Sequence, residues 1–272
     1  MPGRGDAYEK YLETLEHWRM QGWQVTAADW RGQAASGRLG NDAVTGHIEE
    51  FTQWVGDLSR FWADWAASRN GPLVLAGHSM GAHLVLRTAA QLMLSPKPDA
   101  LILSTPLLGT HPLWLPLWVK RLSAEFMCRL GDLRRPAWKW SEKPGQLPKN
   151  RMRLLTHDKR RYADEVFWRD RRQEIVMGPG SWGWVRAAMK SMQLLSRSTL
   201  LQQVEMPTFI LATSADRLVS PPAIHHAARH IPQAELLEFG PEAAHEILRE
   251  ADPVREKALA AIDSFLEQAI KD

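Results

Sequence analysis

A chain of 272 residues, 44% hydrophobic and 24% charged, can hold one large α/β domain or a domain with a sizeable insertion, and this composition excludes an intrinsically disordered protein. No apolar stretch approaches the roughly 20 residues that span a bilayer, no signal-peptide pattern follows Met1, and one cysteine, Cys128, excludes a disulfide framework or a Cys-based zinc site, so a reducing, cytoplasmic location is expected. The net charge of +3 hides an asymmetry: residues 107–200 hold 19 of the 34 lysines and arginines but only 8 of the 31 aspartates and glutamates. Seven of the 13 tryptophans, Trp114, Trp118, Trp138, Trp140, Trp168, Trp182 and Trp184, fall in the same interval. Basic residues mixed with tryptophan suit an anionic lipid interface or nucleic acid, and equally a solvated basic face over an aromatic core.

In chain order, Asp6 to Gly22 has helical spacing at Tyr8, Tyr11, Leu12, Leu15 and Trp18, with Gly22 as its stop, and Trp23 to Ala28 reads as a strand. Ile48 to Ala67 is an amphipathic helix with Phe51, Trp54, Val55, Leu58, Phe61, Trp62 and Trp65 on its core side. The apolar run Leu73 to Ala76 precedes a glycine-flanked serine, and Ala82 to Ala90 follows as a buried helix. A strand at Ala100 to Ser104 leads into the interval 107–195, which breaks the alternation and carries Pro112, Pro116, Pro136, Pro144, Pro148 and Pro179. That interval is expected to be an inserted helical cap. A strand at Pro207 to Ala212, a helix at Pro222 to His230, a strand at Glu235 to Phe239 and a helix at Pro253 to Ile270 complete the chain. The alternation predicts a mostly parallel sheet with helices on both faces, formed by residues 1–106 and 196–272.

Gly77-His78-Ser79-Met80-Gly81 has the form G-x-S-x-G, in which a serine rides a sharp turn between a buried strand and a helix. The turn strains the serine backbone, and the flanking glycines let neighbouring backbone pass close, which leaves the hydroxyl exposed. Ser79 is therefore the candidate nucleophile. It needs a base within hydrogen-bond reach and a carboxylate to orient that base, and on such an elbow these follow in the order acid, then histidine. His245, in the loop after the last strand, is the candidate base, and Asp216, just past the preceding strand, the candidate acid. Two amides must hold the developing oxyanion: Met80 supplies one, and Arg4, in Pro2-Gly3-Arg4-Gly5-Asp6, the other. His226 and His230 stand four apart on a helix, but no third ligand or adjacent glutamate makes them a metal site, so they read as surface residues. His78 and His83 are expected to be structural, His83 facing outward from its helix, and His111 and His157 are cap residues that could meet substrate. No metal or organic cofactor is called for.

On these residues the chain resembles the α/β-hydrolase superfamily, and within it the lysophospholipase and monoacylglycerol lipase group. The resemblance rests on Pro2 to Gly5 as oxyanion loop, on Asp29-Trp30-Arg31-Gly32-Gln33-Ala34-Ala35-Ser36, similar to the group's D-x-R-G-x-G-x-S loop, on the helix His47 to Leu58, on Gly77 to Gly81, on Asp216 to Val219, and on His245-Glu246. It implies an α/β-hydrolase fold and a serine hydrolase that cleaves esters of lipid-like substrates through an acyl-enzyme, with a lysophospholipid or monoacylglycerol presented from an anionic membrane surface touched by the basic cap, and with no nucleic-acid partner. Two departures stand out. Ala34 replaces a glycine, and the group has strands before the oxyanion loop, so amino-terminal strands are expected to be missing from this sheet. A short-chain or aryl carboxylesterase, an acyltransferase, and an inactive hydrolase-like interaction protein are the alternative readings.

Overall fold

Short leucine- and isoleucine-rich runs bounded by turn residues can bury both of their faces only between two layers of helix. In the computed structural model, which describes residues 1–139 and 149–270, these runs form β1 (Val74–His78), β2 (Ala100–Ser104), β3 (Thr208–Thr213) and β4 (Ala234–Phe239). All pairs are parallel, in the order β1-β2-β3-β4. Gly77 stands opposite Leu103, Leu103 opposite Ile210, and Ile210 opposite Leu236, so all four strands point the same way, with β3 and β4 running two residues past the ends of β1 and β2. Whatever follows each strand is delivered to one edge.

The helices are α1 (Leu12–Met20), α2 (Thr52–Ala66), α3 (Met80–Ala90), α4 (Leu117–Arg129), α5 (Lys149–Leu155), α6 (Lys159–Arg171), α7 (Trp182–Leu195), α8 (Ser198–Leu201), α9 (Pro221–His230) and α10 (Asp252–Ala269). Alternate strand residues face opposite layers, as a pleated strand requires. Leu101, Leu103 and Ile210 join the core that holds Trp54, Leu58 and Trp62 of α2, Leu84 of α3 and Met192 of α7. Ile102, Phe209 and Leu211 face Leu259, Ile262 and Phe265 of α10, with the Phe209 and Phe265 rings 5.1 Å apart. The indole nitrogens of Trp54 and Trp62 escape the cost of burial by donating to the carbonyls of Arg31 and Pro96 at 2.9 and 2.7 Å.

Most of the predicted elements lie where the sequence puts them, within two residues at either end, but five expectations change. The helix expected from Asp6 opens with a 3-10 turn over Tyr8–Tyr11, and that expected from Ile48 begins only at Thr52. Phe61, expected in the core, is 37% exposed and lines an apolar slot beside β1. Trp23 to Ala28 is extended but forms no ladder, since β1, the strand it would flank, lies across an apolar slot from it. His83 is fully buried, its ring nitrogens 2.7 Å from the Leu107 carbonyl and 2.6 Å from the Ser191 hydroxyl. The fully buried α3 has no solvent face on which it could stand. Trp140, Pro144 and Pro148 lie outside the described residues.

The turn at Ser79 carries the strain that its sequence pattern implies: φ is +51° and ψ −115°. Only glycine fits beside it. A Cβ on Gly77 would lie 2.6 Å from the Ala82 nitrogen, and one on Gly81 2.4 Å from the carbonyl oxygens of Met1 and Pro2. Ala34 also has positive φ, +44°, which is the physical reason a glycine would suit that position. Because the contacts at Gly77 are backbone on backbone, Gly77→Ala is expected to cost about 3 kcal/mol in urea denaturation. A loss below about 1 kcal/mol would show that the elbow can relax.

Candidate active site

Three strand ends supply three side chains. Ser79 leaves β1, Asp216 lies in the turn after β3, and His245 sits in the loop after β4. The His245 Nδ1–H donates to Asp216 Oδ2 at 2.8 Å, which leaves Nε2 to accept the Ser79 hydroxyl at 2.9 Å. The amides of Leu218 and Val219 donate to Asp216 Oδ1 at 2.8 and 2.9 Å, fixing the carboxylate. The Thr105 hydroxyl, just past β2, donates to the His245 carbonyl at 2.9 Å and fixes the histidine loop. Sequence order alone selected Ser79, Asp216 and His245, and the fold brings all three together.

The electrostatics suit a proton relay. Burial by itself would hold the His245 imidazole down, but the charge and hydrogen bond of Asp216, helped by Glu246 and Asp6, raise its pKa above the ordinary 6.5. Burial likewise raises Asp216, and His245 with the two amides more than reverses that, so the carboxylate stays ionised. His78 packs its ring 4.9 Å from that of His245, and burial, reinforced by the charge of His245, pushes it down to about 3. It is a neutral floor under the His245 ring.

Met80 begins α3 directly after Ser79, so its amide is one of the first-turn donors that a helix leaves unpaired. The Pro2 to Gly5 loop lies against the nucleophile: a Cβ on Gly3 would stand 3.1 Å from that of Ser79, and the Gly3 amide donates to Asp6 at 3.2 Å. Arg4 follows directly. Its guanidinium donates to the Gly178 carbonyl and lies 5.0 and 5.2 Å from the Trp138 and Trp184 rings.

Beneath the loop is a feature that sequence reading missed. The buried Lys10 ammonium lies 2.6 Å from Asp6, 2.6 Å from Glu246 and 3.3 Å from Glu165 of α6. Arg249 bonds Glu246, and Arg151 bonds Glu165 at 2.9 Å. Burial would raise the two glutamates, yet Lys10 and the arginines draw both down to about 2. Asp6, His78 and Glu246 also converge closely enough to suggest a metal site, but the Lys10 ammonium already bonds both carboxylates and Arg249 pairs with Glu246 as well. The only available sign was the i, i+4 spacing of Asp6 and Lys10. The partners from the middle and end of the chain could not be foreseen.

Ser79 and His245 open onto a cavity of about 580 Å³ walled by Leu107, Leu154, Met177, Trp184, Val185 and Met189, with Arg4 and Arg151 as cationic groups in its lining, while Asp216 lies buried behind His245. His111 and His157 are not among its lining residues. His111 bonds the Asp216 carbonyl, and His157 bonds Glu250. His225 bonds Glu238 and His226 bonds the Ser196 carbonyl, as residues of a surface helix.

The Hydrolase_4 family model, described as Serine aminopeptidase, S33, matches residues 1–252. The chain is 30% identical to lysophospholipase L2 of Escherichia coli over 98% of its own length and 79% of that protein's. Among solved structures, a monoglyceride lipase from Saccharomyces cerevisiae superposes with a TM-score of 0.77 at 19% identity, covering 99% of this chain and 85% of that one. The monoacylglycerol lipase of Paleococcus ferrophilus gives 0.72 at 19% identity, covering 98% and 92%. These two likenesses speak for the fold.

A pH profile tests the relay. His245 accepts a proton only when neutral, so a raised pKa places the acid limb of kcat/KM above pH 6.5. Asp216→Asn removes what raises it, so the limb should move to lower pH while kcat falls about 10³- to 10⁴-fold. An acid limb unmoved by that substitution would mean that Asp216 does not act on His245.

Proposed function

The chain belongs to the Hydrolase_4 family of α/β-hydrolases, and on that footing we propose that it cleaves carboxylic esters of lipid-like substrates, a lysophospholipid or a monoacylglycerol, through an acyl-enzyme. The observation that carries this reading is the Ser79, His245, Asp216 line at the floor of a large, mainly apolar cavity. In this mechanism Ser79 Oγ attacks the ester carbonyl carbon as its proton passes to His245 Nε2. The Asp216 carboxylate stabilises the imidazolium, and the Met80 and Arg4 amides hold the oxyanion. The tetrahedral intermediate then expels the alkoxide, which takes the proton from His245. Water, activated by the same imidazole, attacks the acyl-enzyme and releases the fatty acid. Residues 107–195 act as the cap over this cavity.

Charge argues against a peptidase working on free amino termini, the activity that the family description suggests. Such an enzyme needs an unpaired carboxylate for the substrate ammonium. In this cavity Asp6 and Glu246 are held by Lys10, and Arg4 and Arg151 add positive charge. Ser79→Ala should abolish hydrolysis of long-chain monoacyl substrates. Rates across acyl lengths complete the test: a maximum at acetate or butyrate, or turnover of aminoacyl anilides exceeding that of monoacyl lipids, would sink the lipid assignment.

The cap is also the element that reaches the membrane in this reading. No helix among the described residues is long and apolar enough to cross a bilayer. Trp114, Trp118, Leu122, Phe126 and Leu130 recur every fourth residue along α4 and its ends, with exposures between 54% and 80%. Side chains four apart on a helix share a face, and Arg121 and Arg129 flank this one. The stripe and the basic surplus fit shallow insertion into an anionic leaflet. Replacing Trp118 and Phe126 together by serine should weaken sedimentation with phosphatidylglycerol vesicles at least tenfold while leaving turnover of a soluble short-chain ester unchanged. Equal sedimentation would place the membrane contact elsewhere.

A further inference from the structure

The turn at the end of β2, residues 104–107, supplies none of the three side chains of the site, yet it bonds the backbone of two of them. The Ser104 carbonyl accepts from the Ser79 amide at 2.9 Å, and the Leu107 amide donates to the Ser79 carbonyl at 3.1 Å. Between them the Thr105 hydroxyl donates to the His245 carbonyl at 2.9 Å, while the Thr105 amide donates to the Leu211 carbonyl of β3 at 2.8 Å. The amide and carbonyl of Ser79 and the carbonyl of His245 are thus tied to one short turn. It spans the 2.9 Å contact between Ser79 Oγ and His245 Nε2.

Thr105 holds this place against its own preferences. Its φ is +43°, where a branched Cβ crowds the backbone, and the proline that follows, Pro106, favours an extended residue before it. A backbone of that kind persists only where its surroundings over-determine it. Thr105 is fully buried and is not part of the cavity lining, so it meets no substrate. Its hydroxyl carries one hydrogen, and a carbonyl can only accept, so that hydrogen points to His245. The oxygen then accepts from His78 Nδ1, 3.3 Å away, on the ring that packs 4.9 Å from that of His245. One hydroxyl therefore joins the loop of His245 to the ring beneath it, in a chain whose bonds strengthen one another.

We propose that Thr105 is a positioning residue for proton transfer between Ser79 and His245: its hydroxyl, fixed in a strained turn that also grips Ser79, sets the distance from Ser79 Oγ to His245 Nε2. The proposal rests on the reading of Ser79 as nucleophile and His245 as base. Without the hydroxyl, the His245 carbonyl and His78 Nδ1 lose the partner they share, and the histidine loop is released from the turn that holds the serine. A shift of about 1 Å between reacting groups can slow a reaction about a hundredfold, so even a partial release is felt in the rate. Because Thr105 meets no substrate, the loss falls on kcat and leaves KM unchanged.

Three substitutions separate the hydroxyl from the strain. Thr105→Val keeps the branched shape and loses the hydroxyl, Thr105→Ala loses both, and Thr105→Ser keeps the hydroxyl alone. The rate at which a fluorophosphonate labels Ser79, taken per folded molecule from near-ultraviolet circular dichroism, reads nucleophile and base whatever ester is the substrate. Thr105→Val and Thr105→Ala should each label about tenfold more slowly than the unaltered protein, and Thr105→Ser within about twofold of it. On a soluble short-chain ester, kcat should fall by the same factor with KM unchanged. Should Thr105→Val fail to fold, Thr105→Ala, which relieves part of the strain, carries the comparison with Thr105→Ser. Labelling by Thr105→Ala at the unaltered rate, labelling by Thr105→Ser as slow as that by Thr105→Ala, or rates that simply follow the melting temperatures would overturn the proposal while leaving the reading of Ser79 in place. An unaltered protein that does not label would overturn that reading, and the proposal with it.

Discussion

The Lys10 ammonium is the contact on which the geometry of the site depends. It joins Asp6 of the amino-terminal loop, Glu246 beside the proposed base and Glu165 of α6, three segments that share no secondary structure. Burying one lysine among three carboxylates is costly unless each charge is met, because removing ions from water costs several kcal/mol apiece. Arg249 and Arg151 supply the remaining positive charge. Such a knot contributes little to net stability but defines position: if one member moves, the others are left buried and unpaired. Asp6 thereby holds the Gly3 amide, and with it the loop carrying Arg4, at a fixed distance from Ser79.

The sheet provides the other half of the arrangement. Because β1, β2, β3 and β4 are parallel and in register, the segments after them emerge side by side, and short turns place hydroxyl, carboxylate and imidazole within hydrogen-bond reach. Strain at Ser79 is the local cost, and glycines at 77 and 81 are the only residues that let α3 and the Met1–Pro2 backbone come that close. The Ser79 hydroxyl, the amide at the head of α3 and the amino-terminal loop are thus set by a single turn.

Above this floor lie α4 and α7. The first turn of α7 points Trp184 into the cavity, while α4 packs along α7 and turns Trp118, Leu122 and Phe126 to the outside. One helical pair therefore shows an apolar wall to the cavity and an apolar stripe to the surroundings. That division accounts for the tryptophan-rich, basic composition of residues 107–200: part of it is cavity wall, as with Trp184, and part is exposed surface, as with Trp114.

The sequence by itself determined the elbow, the chain order of acid and base, the parallel alternation and the core faces of α2 and α10, because each depends on local sterics or short-range periodicity. It misjudged Trp23 to Ala28, since β-pattern describes a surface that can pair and not whether a neighbour is there to pair with it. It turned His83 outward because a single histidine in an apolar helix carries no sign of the Leu107 carbonyl and Ser191 hydroxyl that satisfy it. Only the tertiary structure decided the Lys10 knot and the neutral His78 beneath His245. Both rest on contacts between segments more than a hundred residues apart, and no pattern within either segment encodes which charge or ring the other will present.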